Sequence, residues 1–470
     1  MVEPNAHRPR VAFVSYSTGQ FDSRTERMAR SARDAGYEPV VYARWEPGLP
    51  IREIRDGYPV IRVPVATSMA IPGLAGRARR RLASAAARTA VGGAPAGQRP
   101  RPADPRAVGA LASGPGAGLT ARVRRRVEGT VLFRPLRTLR DLMRVPRRWL
   151  LLPASLRAFA VGLDSVAEPA AIWHGMSIGG LPAIVRQKRR LGGAAVYDSR
   201  DVYMHARELA RVGGLRRRLF EAAERRWAAA CDAVLTVNDA YADILTRQLR
   251  VARPAVVMNC PERWQPPVPR PDHIRARLGL PGTTRIVLYQ GGLVSERGIE
   301  QSMDAILSVP EAALVLLGYG RLRDEIVAAA GREPYQGRVF VIDAVPPADL
   351  LAWTASADVM VMAIEPTSLN HQHTTPNKLF EAMATGVPVV ASDLPGMAAI
   401  VRATGCGVLC DPTRPDAIAR GILEILDLPA SDAAALRERC LKAAHDTYNW
   451  ETQAGRLIEL YRAIAPPAGR

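Results

Sequence analysis

Two doubly wound α/β domains facing each other across a cleft are the fold class that this 470-residue sequence predicts. Three observations carry that expectation. The length has room for two cores at the usual 100–200 residues per domain. Short, continuous β-branched runs alternate with helical patterns, as in parallel sheets covered on both faces. The runs form two series, separated by the proline-dense stretch Asn259–Pro269, which reads as a linker.

The first series comprises Val11–Tyr16, Pro39–Tyr42, Val60–Val65, Ala171–His174, Ala194–Tyr197, Ala233–Val237 and Ala255–Met258. The second comprises Arg285–Tyr289, Ala313–Leu317, Arg338–Ile342, Asp358–Met362, Pro388–Ala391 and Gly407–Leu409. The expected division is an N-terminal domain over 1–262, a C-terminal domain over 263–445, and a closing helix over 446–470 that returns to the first domain.

The formal charge of +19 raises the question of nucleic acid, but its distribution points elsewhere. Residues 77–148 hold 18 Arg, no Lys and three acids, a net +15, which leaves about +4 for everything else. This segment reads as an Arg-rich insertion in the N-terminal domain. Its Gly-, Pro- and Ala-rich part, 90–118, is expected to be disordered because it has too few large apolar groups to offset folding entropy. Over 119–152, Val123, Val127, Val131, Leu132, Leu136, Leu139 and Met143 recur at helical spacing among arginines, ending at Trp149. Two readings stay open: a helix lying on an anionic membrane surface, or one packed on its own domain with a solvated basic face. Nucleic acid ranks below both, because no aromatic residues alternate with the arginines to stack on bases.

Mean hydropathy is −0.05, and no run of about 18 apolar residues suggests a spanning helix. The N-terminal residues lack the order of a secretory signal. A cytoplasmic protein, with peripheral attachment to the inner face of the membrane left open, is the expectation. Cys231, Cys260, Cys406, Cys410 and Cys440 form no Cys-x-x-Cys pair and read as buried thiols.

In doubly wound sheets, ligands bind beyond the carboxyl ends of the strands, where helix N-termini offer N–H groups to anions. The strongest such turn is Asn370–Ala391, where Thr375 is the expected N-cap, Pro376 the first helical residue, and Gly386 the stop. Lys378, one of only three lysines, then sits in the first turn against the helix dipole, an arrangement that favours a bound anion such as a diphosphate. Glu381 follows on the same face and suits the hydroxyls of a ribose. After the first strand of the second domain, Gly291 and Gly292 let the backbone approach a phosphate, and Arg297 can bind it by two parallel hydrogen bonds. In the first domain, Gly19 lies in the turn after the opening strand, Asp22 and Arg24 read as packing or capping residues, and His174 ends a strand facing the cleft. Asp201 reads as an acceptor contact or an N-cap.

Arg297-Gly298, the Pro376–Pro388 segment with Glu381, Asn449-Trp450-Glu451 and Asp22-Ser23-Arg24 resemble family 4 (group 1) glycosyltransferases of the GT-B fold. The resemblance implies two Rossmann-like domains, a nucleotide-sugar donor held mainly by the second, transfer with retention at the anomeric carbon, and no cofactor or required metal. It further implies that Arg297 and Lys378 hold the diphosphate and Glu381 the ribose; the candidate donor-binding set is Gly291, Gly292, Arg297, His373, Thr374, Thr375, Asn377, Lys378 and Glu381. Arg297, Lys378 and His174 are the catalytic candidates, and Gly19 and Asp201 stand on the acceptor side. The acceptor is expected to be a hydroxyl of a glycan, a lipid-linked intermediate or a small molecule.

The sequence departs from the family where His373 replaces a frequent Glu, Gly292 a frequent Arg, and His174-Gly175-Met176 a His-x-His. No Asp-x-Asp pair occurs. The alternatives are a nucleotide-sugar epimerase of the same fold and a nicotinamide-dependent oxidoreductase. The latter rests on Gly318-Tyr319-Gly320, where Arg323 occupies the third glycine's place. A basic membrane or nucleic-acid scaffold is the third class.

Overall fold

The computed structural model describes residues 8–20, 22–65, 154–206, 209–210 and 212–466. The expectations for 90–118 and 119–152, and all of the basic 77–148 insertion, therefore lie outside the described residues. Contacts group the chain into one unit of Met1–Ala43, Arg52–Ile61 and Ala167–Arg470, and a second of Arg44–Ile51 and Arg62–Val166. Both sheets belong chiefly to the first unit, so this grouping does not divide the chain near residue 262.

The first sheet has eight strands: β1 (Arg10–Ser15), β2 (Glu38–Arg44), β3 (Arg52–Arg55), β4 (Tyr58–Val63), β5 (Ile172–Met176), β6 (Ala194–Ser199), β7 (Ala233–Thr236) and β8 (Ala255–Val256). Their spatial order is β3-β4-β2-β1-β5-β6-β7-β8. From β2 through β1 to β8 the neighbours pair in parallel, while β3 and β4 form an antiparallel hairpin. The second sheet contains β9 (Arg285–Gly292), β10 (Ala312–Tyr319), β11 (Val339–Ile342), β12 (Val359–Met362), β13 (Val389–Ser392) and β14 (Gly407–Cys410), in the order β11-β10-β9-β12-β13-β14, all parallel.

Alternation along β9 shows why the runs are continuously apolar. Ile286 and Leu288 pack into one core and Val287 and Tyr289 into another, so both faces of the sheet are dry. β3 has no counterpart in the sequence reading, because Arg-Glu-Ile-Arg at a sheet edge needs only its hairpin partner and carries no apolar run. β9 and β10 run two to three residues past their apolar stretches, so Gly291 and Gly292 end a strand and pair with Gly318 and Tyr319. Gly318 is left-handed at φ 158°, and a Cβ there would stand 1.9 Å from the Gly291 oxygen; at Gly320 it would stand 2.2 Å from that of Leu293. Close strand packing accounts for both glycines of the incomplete dinucleotide fingerprint.

The helix Trp450–Ile464 packs on the helix Ser23–Asp34 and on the first sheet. Asn449 caps it by accepting from the Thr452 amide at 2.9 Å, and Trp450 Nε1 donates to Ser31 Oγ at 3.0 Å. Four of the cysteines are buried and Cys231 is half-buried, a partial correction, and all five are free thiols. Among the described residues, no helix is long and apolar enough to cross a membrane.

Candidate functional site

The best-formed candidate site lies where β9 and the helix Asn377–Thr385 converge in the second sheet's domain. Pro376, not Thr375, is the N-cap of that helix and supplies no capping side chain. Thr375 Oγ1 instead accepts from Asn238 Nδ2 at 3.1 Å, which corrects the sequence expectation. With its φ held near −65° by its ring, Pro376 enters the helix without a polar cap, and the first-turn amides keep no side-chain partner.

Lys378 occupies that first turn and is 8% exposed, yet among the described residues its Nζ has no hydrogen-bond partner. The ammonium rests over the Tyr289 ring, 3.7 Å from its centroid, a cation–π contact. Burial pushes its pKa from 10.5 down to about 7; the charge of Arg297 pushes the same way, and Glu381 opposes both. Such a group is poised to gain a proton when an anion arrives.

Glu381, one turn on, is held by Gln290 Nε2 at 2.5 Å, and Thr354 Oγ1 donates to Gln290 Oε1 at 2.7 Å. Burial raises the Glu381 carboxyl, while the Gln290 hydrogen bond and the charges of Arg27 and Lys378 lower it in part. Gln290 is thus a positioning residue that sequence reasoning missed; its signal was a lone amide directly after the apolar run Arg285–Tyr289. Arg27, from the helix Ser23–Asp34, was missed as well. It donates to Asn259 Oδ1 at 2.6 Å and lies over Trp450.

Arg297 is half-buried, and among the described residues no hydrogen bond or ion pair engages it. Its loop is fixed by Gly298, left-handed at φ 67°, where a Cβ would stand 2.0 Å from the Ala363 oxygen. Gly291 and Gly292 are both exposed at the end of β9, with open space around Gly291. Asn377, the first residue of the helix Asn377–Thr385, is exposed.

A second group of contacts joins the first sheet's turns to the segment before this helix. Asn370 Oδ1 accepts from the Val202 amide at 2.9 Å, and its Nδ2 donates to Asp201 Oδ1 at 3.1 Å. Tyr241 donates to the Asn370 carbonyl at 2.7 Å, and Asn238 donates to the His373 carbonyl at 2.9 Å. Asp201 therefore braces Asn370 and caps no helix; the short 3₁₀ turn that follows starts at Val202 without a side-chain cap. His373 and Thr374 are partly buried in this segment, and a Cβ at Gly396 would meet His373 at 2.4 Å.

His174 differs from expectation. It is the central residue of β5, 0% exposed, with Nδ1 2.6 Å from the Tyr461 hydroxyl and Nε2 3.8 Å from Asp198. Asp198 in turn accepts a two-pronged ion pair from Arg24 at 2.7 and 3.0 Å. Burial lowers the His174 pKa, and the nearby Asp198 carboxylate opposes it. A ring sealed among these groups is a core residue and touches no open site. Gly19 is buried at φ 72°, with Arg55 donating to its carbonyl, and Asp22 caps the following helix through the Thr25 amide at 3.3 Å.

The two parallel sheets define the chain as an α/β protein of the GT-B fold. Sucrose-phosphate synthase from Thermosynechococcus elongatus superimposes with a TM-score of 0.66 at 19% identity, over 97% of this chain and 99% of that one. Residues 271–447 match the family described as glycosyl transferases group 1. The chain thus resembles the group 1 glycosyltransferases in fold and in its C-terminal domain. The D-inositol 3-phosphate glycosyltransferase of Xylanimonas cellulosilytica is 28% identical over 51% of this chain and 58% of its own. A GDP-mannose-dependent alpha-(1-6)-phosphatidylinositol monomannoside mannosyltransferase of Mycolicibacterium smegmatis is 30% identical over 41% and 52%. The chain spans about half the length of the curated relatives it matches.

Proposed function

We propose that this protein is a glycosyltransferase that moves a sugar from a nucleoside diphosphate to a hydroxyl acceptor with retention at the anomeric carbon. The observation that carries the reading is Lys378: a buried amine without a partner, in the first turn of a helix, beside a second unpaired cation, Arg297. A diphosphate meets both needs at once, and the helix N-terminus adds favourable amide dipoles.

In this reading Lys378 and Arg297 hold the diphosphate, Glu381 takes the ribose hydroxyls in the orientation Gln290 imposes, and Gly291 and Gly292 admit the phosphates close to the backbone. His373, Thr374, Thr375 and Asn377 line the approach to the sugar. As the bond between the anomeric carbon and the diphosphate oxygen breaks, negative charge grows on that oxygen, where the two cations stabilise it most. The acceptor oxygen bonds to the carbon on the same face, and its proton passes to the departing diphosphate. Asp201, on the acceptor side, orders the loop by bracing Asn370.

The test is calorimetric titration of UDP, GDP and their sugars into wild type, Lys378→Ala and Glu381→Ala. Binding to wild type that weakens at least tenfold in both variants, with their melting cooperative, supports the reading; equal affinity in all three proteins overturns it.

A further inference from the structure

A cavity of about 620 Å³ lies between the helices Gly214–Ala228 and Asp239–Leu249 and the segment at Leu369 and His373; it shares His373 with the proposed approach to the sugar, but neither Lys378 nor Arg297 lines it. Its lining combines the apolar Ile244 and Leu369 with Arg225, Arg247 and Arg250.

The charge of these walls is unbalanced. Glu221 is engaged by Arg217 at 2.8 Å, and Asp243 by Arg253 at 3.0 Å, an arginine outside the lining. Arg225 makes one bond, from Nε to the Gln248 carbonyl at 3.3 Å. Among the described residues, no carboxylate engages Arg225, Arg247 or Arg250. Arg250 ends its helix in the left-handed region at φ 57°, a conformation that usually falls to glycine or asparagine. His373 Nδ1, at the cavity's other side, is buried without a partner. Burial and then the charge of Arg247 lower the His373 pKa, and burial and then Arg217 lower that of His205, where Glu221 opposes them in part. Three arginines and His373 thus line one space whose acids are tied elsewhere, while His205 Nε2 lies 2.9 Å from a guanidinium nitrogen of Arg217.

We infer that this cavity is a second ligand site, which binds a phosphate or similarly compact oxyanion through Arg225, Arg247 and Arg250, with His373 as a further donor. Planar guanidinium groups bind such oxyanions by paired hydrogen bonds. An incoming anion would favour protonation of the His373 imidazole, the one of the two whose Nδ1 is buried without a hydrogen-bond partner among the described residues. The anion comes either from solution or as the phosphate ester of a substrate. The inference goes beyond the transfer reading and stands without it.

The experiment titrates sodium phosphate, glycerol 3-phosphate and, as a neutral control, glycerol into the full chain at constant ionic strength, following histidine side-chain NMR signals. Wild type, Arg247→Ala/Arg250→Ala and Lys378→Ala are compared, each with and without saturating UDP. Saturable shifts of the His373 and His205 signals by phosphate or its ester, weakened at least tenfold in the double-arginine variant and retained in Lys378→Ala and with UDP, support the site. Tighter binding of glycerol 3-phosphate assigns the occupant to a substrate ester, and equal binding to the free ion. No saturable shift in wild type, unchanged affinity in the double variant, or displacement by UDP overturns the inference. Failure of UDP to bind wild type counts against the transfer reading alone.

Discussion

Replacing Lys378 by Met keeps the stem of the side chain and removes its charge, which separates what the amine costs from what it does. The native amine is held at about 7, against 10.5 in the free side chain. Between those values the unfolded chain binds more protons than the folded one, so stability rises with pH across this window. At pH 7 the difference amounts to about 4 kcal/mol of lost stability. Lys378→Met removes that penalty, and recovering half of it raises the Tm of the C-terminal domain by roughly 4–8 °C at neutral pH. The same change should abolish nucleoside diphosphate binding. The mechanism also leaves a proton signature. At pH 8 an amine titrating near 7 is about one-tenth protonated, while one paired with a diphosphate is fully so; about 0.9 proton is then taken up per nucleotide bound. Calorimetry of UDP or GDP at pH 8, in buffers of different ionisation enthalpy, reads this number directly. At pH 6 the uptake by this amine should fall to about one-tenth. No proton uptake at pH 8, with nucleotide binding intact, would refute the assignment of Lys378 to the diphosphate.

Further outcomes are expected elsewhere. Gly298→Ala places a Cβ 2.0 Å from the Ala363 oxygen at φ 67°, so it should destabilise by more than about 2 kcal/mol and weaken nucleotide binding by displacing Arg297, as thermal melts and titration would show. Asp198→Asn strands the buried Arg24 charge and should cost roughly 3–5 kcal/mol in denaturant unfolding, whereas the paired change Arg24→Met/Asp198→Leu should recover much of it. The Asp198 carboxyl is held below its usual range although burial opposes this, because Arg24 and then the nearby His174 ring outweigh it. Its contribution is therefore present above about pH 4 and lost as pH falls below that. Glu381→Ala should reduce UDP affinity at least tenfold yet leave the affinity for 2′,3′-dideoxy-UDP unchanged; equal losses for both ligands would remove Glu381 from the ribose. Asn370→Ala removes the acceptor for the buried Val202 amide and should cost about 1–3 kcal/mol, measured by urea unfolding.

Periodicity and turn chemistry were enough to read both series of strands, the stop at Gly386, and Lys378 and Glu381 as neighbours on one helical face. These are local properties, set by side-chain spacing and by what a proline or glycine permits. The conflict between a lysine and a helix N-terminus was equally visible, since it needs only the helix and its direction. Other features come from residues far apart in the chain. His174 has the composition of a site residue, but Asp198, Arg24 and Tyr461 enclose it, and no pattern near residue 174 signals that closure. Thr375 has the right chemistry for an N-cap, yet Asn238, 137 residues earlier, takes its hydroxyl. The pairing of Gln290 with Glu381, the Tyr289 ring beneath Lys378, and the arginine-lined cavity likewise exist only once the strands and helices pack. Sequence spacing governs what a segment becomes, because backbone geometry is local; burial and partner choice depend on which segments meet, and those decide whether a polar side chain is left open to bind or is enclosed in the core.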